Sequence, residues 1–236
     1  SPLFSMNTIT AMPMISGIKA ARVHRPKTTR AAQNTSAKTI NAKDATTLSV
    51  RQRREHGLAH IPEDRIDVGL NLETNLDENL IVSRYRLKKF SHTGFLDRRS
   101  MRDFAADVIK RFSVAAAVPG GGISRLSGGN MQKIVIGREL AGEPTFIVAN
   151  QPTRGLDVGS IEFVHRSLVD ARDRGAGILL VSVELEEILA LADRVLVMYR
   201  GQIQGEVDPA ATTEEQIGLL MAGAHPEPAT GAGPTA

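Results

Sequence analysis

Apolar positions follow clear periods only from Glu55 onward; before it, no period of 2.0 or 3.6 residues persists. Gly57-Leu-Ala-His-Ile61 predicts a short strand stopped by Pro62, and residues 75–82 predict a short helix with Thr74 as its cap. Residues 101–113 set Phe104, Ala105, Val108, Ile109 and Phe112 on one helical stripe. Pro119-Gly-Gly-Gly122 reads as a loop, and residues 130–141 as a helix ending at Gly142. Element types then alternate. Residues 145–149 predict a buried strand, and 161–172 a helix with Ile161, Val164, Leu168 and Ala171 facing inward. Residues 177–182 predict a strand, 184–191 a helix, and 194–199 a strand with a hairpin partner at 202–207 across Arg200-Gly201. Residues 213–221 predict a last helix, capped by Thr212 or Thr213. Strands this uniformly apolar, alternating with helices, imply an α/β fold with a parallel sheet covered by helices. The sheet core falls at about 143–207. The stretch of about 74–126, without predicted strands, reads as a helical subdomain, and 223–236 as a flexible tail.

Composition narrows the classes. The 236 residues are 42% hydrophobic and 23% charged, ordinary for a globular chain. No apolar run approaches the roughly 18 residues of a membrane span. Without cysteine there is no disulfide, zinc–thiolate site or thiol nucleophile. No tryptophan, seven Phe and two Tyr argue against stacking-based nucleic-acid recognition.

The net charge of +3 conceals an asymmetry. Residues 1–54 hold ten Lys/Arg and one acid, Asp44, whereas 55–236 hold 19 basic and 25 acidic residues. A basic leader of +9 thus precedes a body of −6. The leader is acid-poor and hydroxyl-rich, and its clearest apolar patch, 12–18, is broken by Pro13 and Gly17. It reads as a poorly ordered segment: a disordered arm, an organelle transit peptide or a stretch that is not native coding sequence. Arg51-Gln-Arg-Arg54 reads as a solvated basic run, so no nucleic-acid partner is assigned.

The densest chemistry is Leu126-Ser-Gly-Gly-Asn130 at a helix start. Two glycines leave backbone N–H groups unobstructed, the helix N-terminus adds partial positive charge, and Ser127 adds a hydroxyl. Alone, such a stretch is an ordinary capped helix. About twenty residues on, a buried strand runs into Asn150-Gln-Pro-Thr-Arg-Gly-Leu-Asp157, and a later strand ends Val181-Ser-Val-Glu184. Upstream stands His60-Ile-Pro-Glu-Asp-Arg65, followed by Gly69-Leu70 and Glu78-Asn79-Leu80.

In order and spacing this set resembles the ATP-binding cassette (ABC) transporter ATPases, in particular the C-terminal (second) cassette of simple-sugar and nucleoside importers, over about residues 55–222. The resemblance implies a P-loop NTPase-like parallel sheet flanked by helices, partial here, with an α-helical signature subdomain. It implies that Ser127, Gly128, Gly129 and Asn130 form the signature motif, which binds ATP in trans. It aligns Asn150 and Gln151 with the Walker B aspartate and catalytic glutamate, Val183 with the switch histidine, Asp157 with the D-loop aspartate and Glu63 with the Q-loop glutamine. No catalytic carboxylate is intact: each of Asn150 and Gln151 keeps the shape and loses the charge, so Gln151 can orient water without accepting its proton. No Gly-x4-Gly-Lys-Ser/Thr occurs in these 236 residues, since neither Lys27-Thr28 nor Lys38-Thr39 follows a glycine. ATP and Mg²⁺ are therefore expected only at a composite site with a partner P-loop, and no metal site is assigned to this chain. By the same resemblance the partners are a second cassette with an intact P-loop, transmembrane permease subunits and, indirectly, a substrate-binding protein. The location implied is cytoplasmic, peripheral on the inner face of the cell membrane. The isolated chain is expected to be inactive as an ATPase. The alternative is a truncated, non-catalytic remnant or adaptor. His60, His92 and His165 are scattered and read as structural, and Glu184-Leu-Glu-Glu187 as a solvated first helical turn.

Overall fold

A computed structural model of the chain describes residues 19–23, 39–40, 43–92 and 94–224. It divides into one unit of residues 25–179 and another of residues 1–24 with 180–236.

In the first unit, β4 (Leu58–Ile61) follows α1 (Val50–Glu55) and pairs in parallel with β7 (Phe146–Asn150), Leu58 opposite Phe146 and Ile61 opposite Ala149. Parallel pairing needs a long crossover, and four helical elements fill it. The first is a π-turn, Arg65–Gly69, capped by Asp64, and the second is α2 (Leu76–Ile81). The cap of α2 is Asn75, not Thr74. The Asn75 side chain accepts from the Glu78 amide at 2.9 Å, while the Thr74 hydroxyl receives the Asn79 side-chain amide at 2.8 Å. α3 (Arg98–Arg111) is capped by Asp97 and buries Met101, Phe104, Ala105 and Val108; Ile109 is only half-buried. A two-stranded hairpin, β5 (Ser91–His92) with β6 (Phe95–Leu96), interrupts the stretch expected to lack strands. Strands of two residues have too few alternations to register as a period.

α4 (Gly128–Leu140) is buried on nearly every side. Val108 Cγ1 comes within 2.6 Å of where a side chain on Gly137 would begin, so α3 and α4 approach across a position that only glycine fills. Each of Ile134, Val135 and Ile136, at 0% exposure, contributes on the order of 1.5–3 kcal/mol by burial. Polar residues share this interior. Glu139 accepts from Arg54 Nη1 at 2.9 Å, from Arg138 Nε at 3.0 Å and from the His60 amide at 3.2 Å, and Arg138 Nη1 donates to the Gly69 carbonyl at 2.7 Å. Burial holds the His60 imidazole below its ordinary 6.5; Glu139 pulls it upward, while Arg54 and Arg138 push it down. α5 (Val158–Asp173) buries Val164, Leu168 and Ala171, with Ile161 half-buried, and packs along α4.

β8 (Gly177–Ser182) crosses the division between the units. In the second unit, α6 (Leu185–Leu191) precedes β9 (Val195–Tyr199), which pairs antiparallel with β10 (Gln202–Val207) and with β1 (Lys19–Val23). α7 (Glu214–Met221), capped by Thr213, packs on β9 and β10. Its core is Ile188, Val195, Val197, Ile217 and Leu220. Glu187, expected in a solvated turn, is only 4% exposed because it lies on the face of α6 that also carries Ile188 inward.

Within 1–54, expected to be poorly ordered, the described residues form β1, a small pairing of β2 (Thr39–Ile40) with β3 (Lys43–Asp44), and α1. Backbone pairing needs no side-chain period, and α1 forms behind a Ser49–Gln52 capping box. The rest of that expectation, like the tail beyond Ala224, lies outside the described residues. Among the described residues no helix is long and apolar enough to cross a membrane.

Candidate functional site

α4 begins two residues earlier than the reading from Asn130, at Gly128, with Ser127 as its cap. Ser127 Oγ accepts from the Asn130 amide at 3.4 Å and from Asn130 Nδ2 at 3.0 Å. Asn130 is itself fixed, because its Oδ1 accepts from the Ala115 amide at 3.0 Å. Ser127 Oγ thus accepts twice from within the helix, and its own hydroxyl remains available as a donor. The amides of Gly128 and Gly129 are orphan donors of the first turn.

The two glycines face different neighbours. A Cβ on Gly129 would collide with Ser160 Oγ and come within 3.2 Å of Asp157 Oδ2. Asp157 caps α5, accepting from the Ser160 amide at 2.9 Å and the Ser160 hydroxyl at 2.8 Å. These bonds, the hydroxyl foremost, hold its carboxyl below the ordinary carboxylate range, so it stands ionised beside the α4 tip. A Cβ on Gly128 would instead meet Arg65, with Nη2 at 2.9 Å and both Cζ and Nε at 3.5 Å. Arg65 Nη1 donates to the Arg154 carbonyl at 3.0 Å, and the Arg154 side chain pairs with Glu63. Arg65 Nε is buried with no hydrogen-bond partner.

At the end of β7, Asn150 and Gln151 are 9% and 7% exposed. Gln151 has φ +47°, a left-handed backbone that is costly for a residue with a side chain. Asn150 Oδ1 is buried without a hydrogen-bond partner. Gln132 Nε2, one turn into α4, donates to the Pro152 carbonyl at 2.7 Å and ties the helix to this turn. The donor set at 150–151 consists of neutral amides, which fit a hard divalent cation poorly. Among the described residues no three His, Asp or Glu side chains gather as metal ligands.

Ser127, Gly128, Gly129, Asn130, Asp157 and Glu63 are therefore brought into one contiguous cluster, and Asn150 and Gln151 connect to α4 through Gln132. Val183, 43% exposed, belongs to the other unit. Ser160 and Gln132 carry no signal in the sequence, and Arg65 stands there only as part of the His60–Arg65 run, with no role of its own. The paired glycines at 128–129 were the available signal, since each marks a place where another group lies against the helix.

No protein-family model matches the chain. The chain is 44% identical over 185 residues to the guanosine import ATP-binding protein NupO of Bacillus subtilis, covering 78% of this chain and 36% of that protein. It is 42% identical over 186 residues to the nucleoside import ATP-binding protein NupA of Lactococcus lactis, covering 79% and 37%. It is 40% identical over 173 residues to the ribose import ATP-binding protein RbsA 2 of Rubrobacter xylanophilus, covering 72% and 32%. The chain thus spans about a third of the length of these curated relatives. In fold it matches the ATP-binding cassette MJ0796 bound to ADP and Pi, with a TM-score of 0.58 at 20% identity over 72% of each chain. It also matches the ADP conformation of the cassette MJ1267, with a TM-score of 0.55 at 21% identity over 77% of this chain and 71% of that one. Over more than three-quarters of its length the chain is homologous to the ATP-binding proteins of nucleoside and sugar importers, and its fold is that of the ABC ATPases.

Proposed function

We propose that this chain is a cassette portion of the ATP-binding subunit of a nucleoside or simple-sugar importer, and that it completes a nucleotide site gripped elsewhere. The observation that carries this reading is the Ser127 cap, whose Oγ accepts twice from Asn130 and so keeps its own hydroxyl available as a donor. That hydroxyl and the free amides of Gly128 and Gly129 suit the terminal phosphate of an ATP whose other phosphates lie in a partner's P-loop. Asp157, held ionised, faces the same partner. Asn150 and Gln151 are amides and accept no proton, so neither water positioning nor a Mg²⁺-dependent step is assigned to them. Proton transfer belongs to the partner's carboxylate. The work of such a subunit is to close on ATP and pass that closure to transmembrane permease subunits at the inner face of the cell membrane. The names of the homologous import proteins support the transport setting.

ATP binding measured for the chain alone and mixed with a P-loop-bearing cassette tests the reading. Binding that the mixture gains and Ser127→Arg removes is the expected result. An absence of ATP binding in both samples would favour the non-catalytic adaptor, a reading to which the two amides at 150 and 151 also point.

A further inference from the structure

Glycine at 128 has a local cause as well as a nucleotide-facing one. The Arg65 guanidinium lies over the place where a side chain would be, with three of its atoms within 3.5 Å of that point. The same guanidinium reaches the carbonyl of Arg154, while the Arg154 side chain is held by Glu63, two residues before Arg65. The segment leaving β4 therefore grips residue 154 at both its side chain and its backbone, and covers the first glycine of α4 with the same arginine. A planar fork can do this and an ammonium cannot, because the two contacts lie on different edges of one rigid group. One Nε–H is left buried and unmatched, an unmet donor that a purely packing role would not call for.

We infer that Arg65 is a positioning residue that clasps the glycine tip of α4 to the turn at Arg154–Asp157, and so sets the distance between the phosphate-facing amides and Asp157. This rests on the proposed function for its consequence, though the clasp itself can be tested without nucleotide.

Hydrogen exchange of the lone full chain is the first test. In Arg65→Ala, the amides of Asn130, Met131, Arg154 and Leu156 are expected to exchange about tenfold faster, while the last turns of α4 keep their protection. Unchanged exchange at those four amides would overturn the clasp whatever the nucleotide does. The second test is ATP affinity in the mixture with a P-loop-bearing cassette. Arg65→Ala and Gly128→Ala are each expected to weaken it by about tenfold or more, Arg65→Lys to fail to restore it, and the double variant to be no weaker than Arg65→Ala alone. Additive losses, or an affinity untouched by Arg65→Ala, would remove Arg65 from the site. Wild-type mixtures that bind no ATP would sink the proposed function instead, with exchange still deciding the clasp.

Discussion

At the scale of single residues, space explains more than charge does. Gly129 is enclosed by Ser160 and Asp157, so Gly129→Ala must push back the cap of α5. It is expected to cost about 1–3 kcal/mol in urea denaturation. Were the stability unchanged, the glycine would be there for the ligand alone. His60 carries a pH signature. Above its ordinary 6.5 the imidazole is neutral in both folded and unfolded chains and contributes no slope. Below 6.5 the unfolded chain takes up a proton that the folded chain refuses, so stability falls with pH until the lowered folded value is reached. His60→Gln should flatten that limb when urea midpoints are compared between about pH 7 and about pH 5.5. The ionised caps Asp64, Asp97 and Asp157 contribute throughout this window and lose that contribution only below their ordinary 3.8, so they add no slope to it.

At the scale of elements, what could be read from sequence depended on how each element is buried. α3 buries one stripe, and its period announced Phe104, Ala105 and Val108. β7 is an unbroken apolar run and was equally plain. α4 was readable as a helix over 130–141 but its burial was not, because a helix covered on nearly all sides shows no stripe and its polar residues pass for surface. Nothing in Arg138-Glu139 as letters says that both are interior, at 5% and 3% exposure. Their burial depends on Arg54 and His60, some eighty positions earlier. Glu139→Ala would leave buried cationic groups uncompensated and is expected to cost about 3–5 kcal/mol, with Glu139→Gln milder, by chemical denaturation. The glycine-lined helix tip at 126–130 was legible because its capping is local to five letters. Arg65 was not, because its role comes from where the π-turn after β4 delivers it. The hairpin β5–β6 and the strand β1 were missed for want of length and of a side-chain period.

At the scale of the whole molecule, the proposed function assigns the phosphate-facing role to the tip of α4 and no proton acceptor to the neutral end of β7. In an assembly that turns over ATP with a P-loop-bearing partner, Ser127→Ala is expected to lower turnover by on the order of 10²-fold, the effect of losing one preorganised donor. Gln151→Ala should leave that turnover where it was. A steady-state phosphate-release assay separates the two, and strong dependence on Gln151 would return the chemistry to this chain. The left-handed main chain at Gln151 bears on how such a protein could be re-engineered. Each amide at 150 and 151 differs from its acidic counterpart by a single nitrogen in place of oxygen, and the bent scaffold beneath them is already in place. Restoring carboxylates at these two positions would need no carpentry of the polypeptide backbone, only two isosteric swaps and a counter-ion to make the new charges tolerable, while the grip on nucleotide would still have to come from a partner.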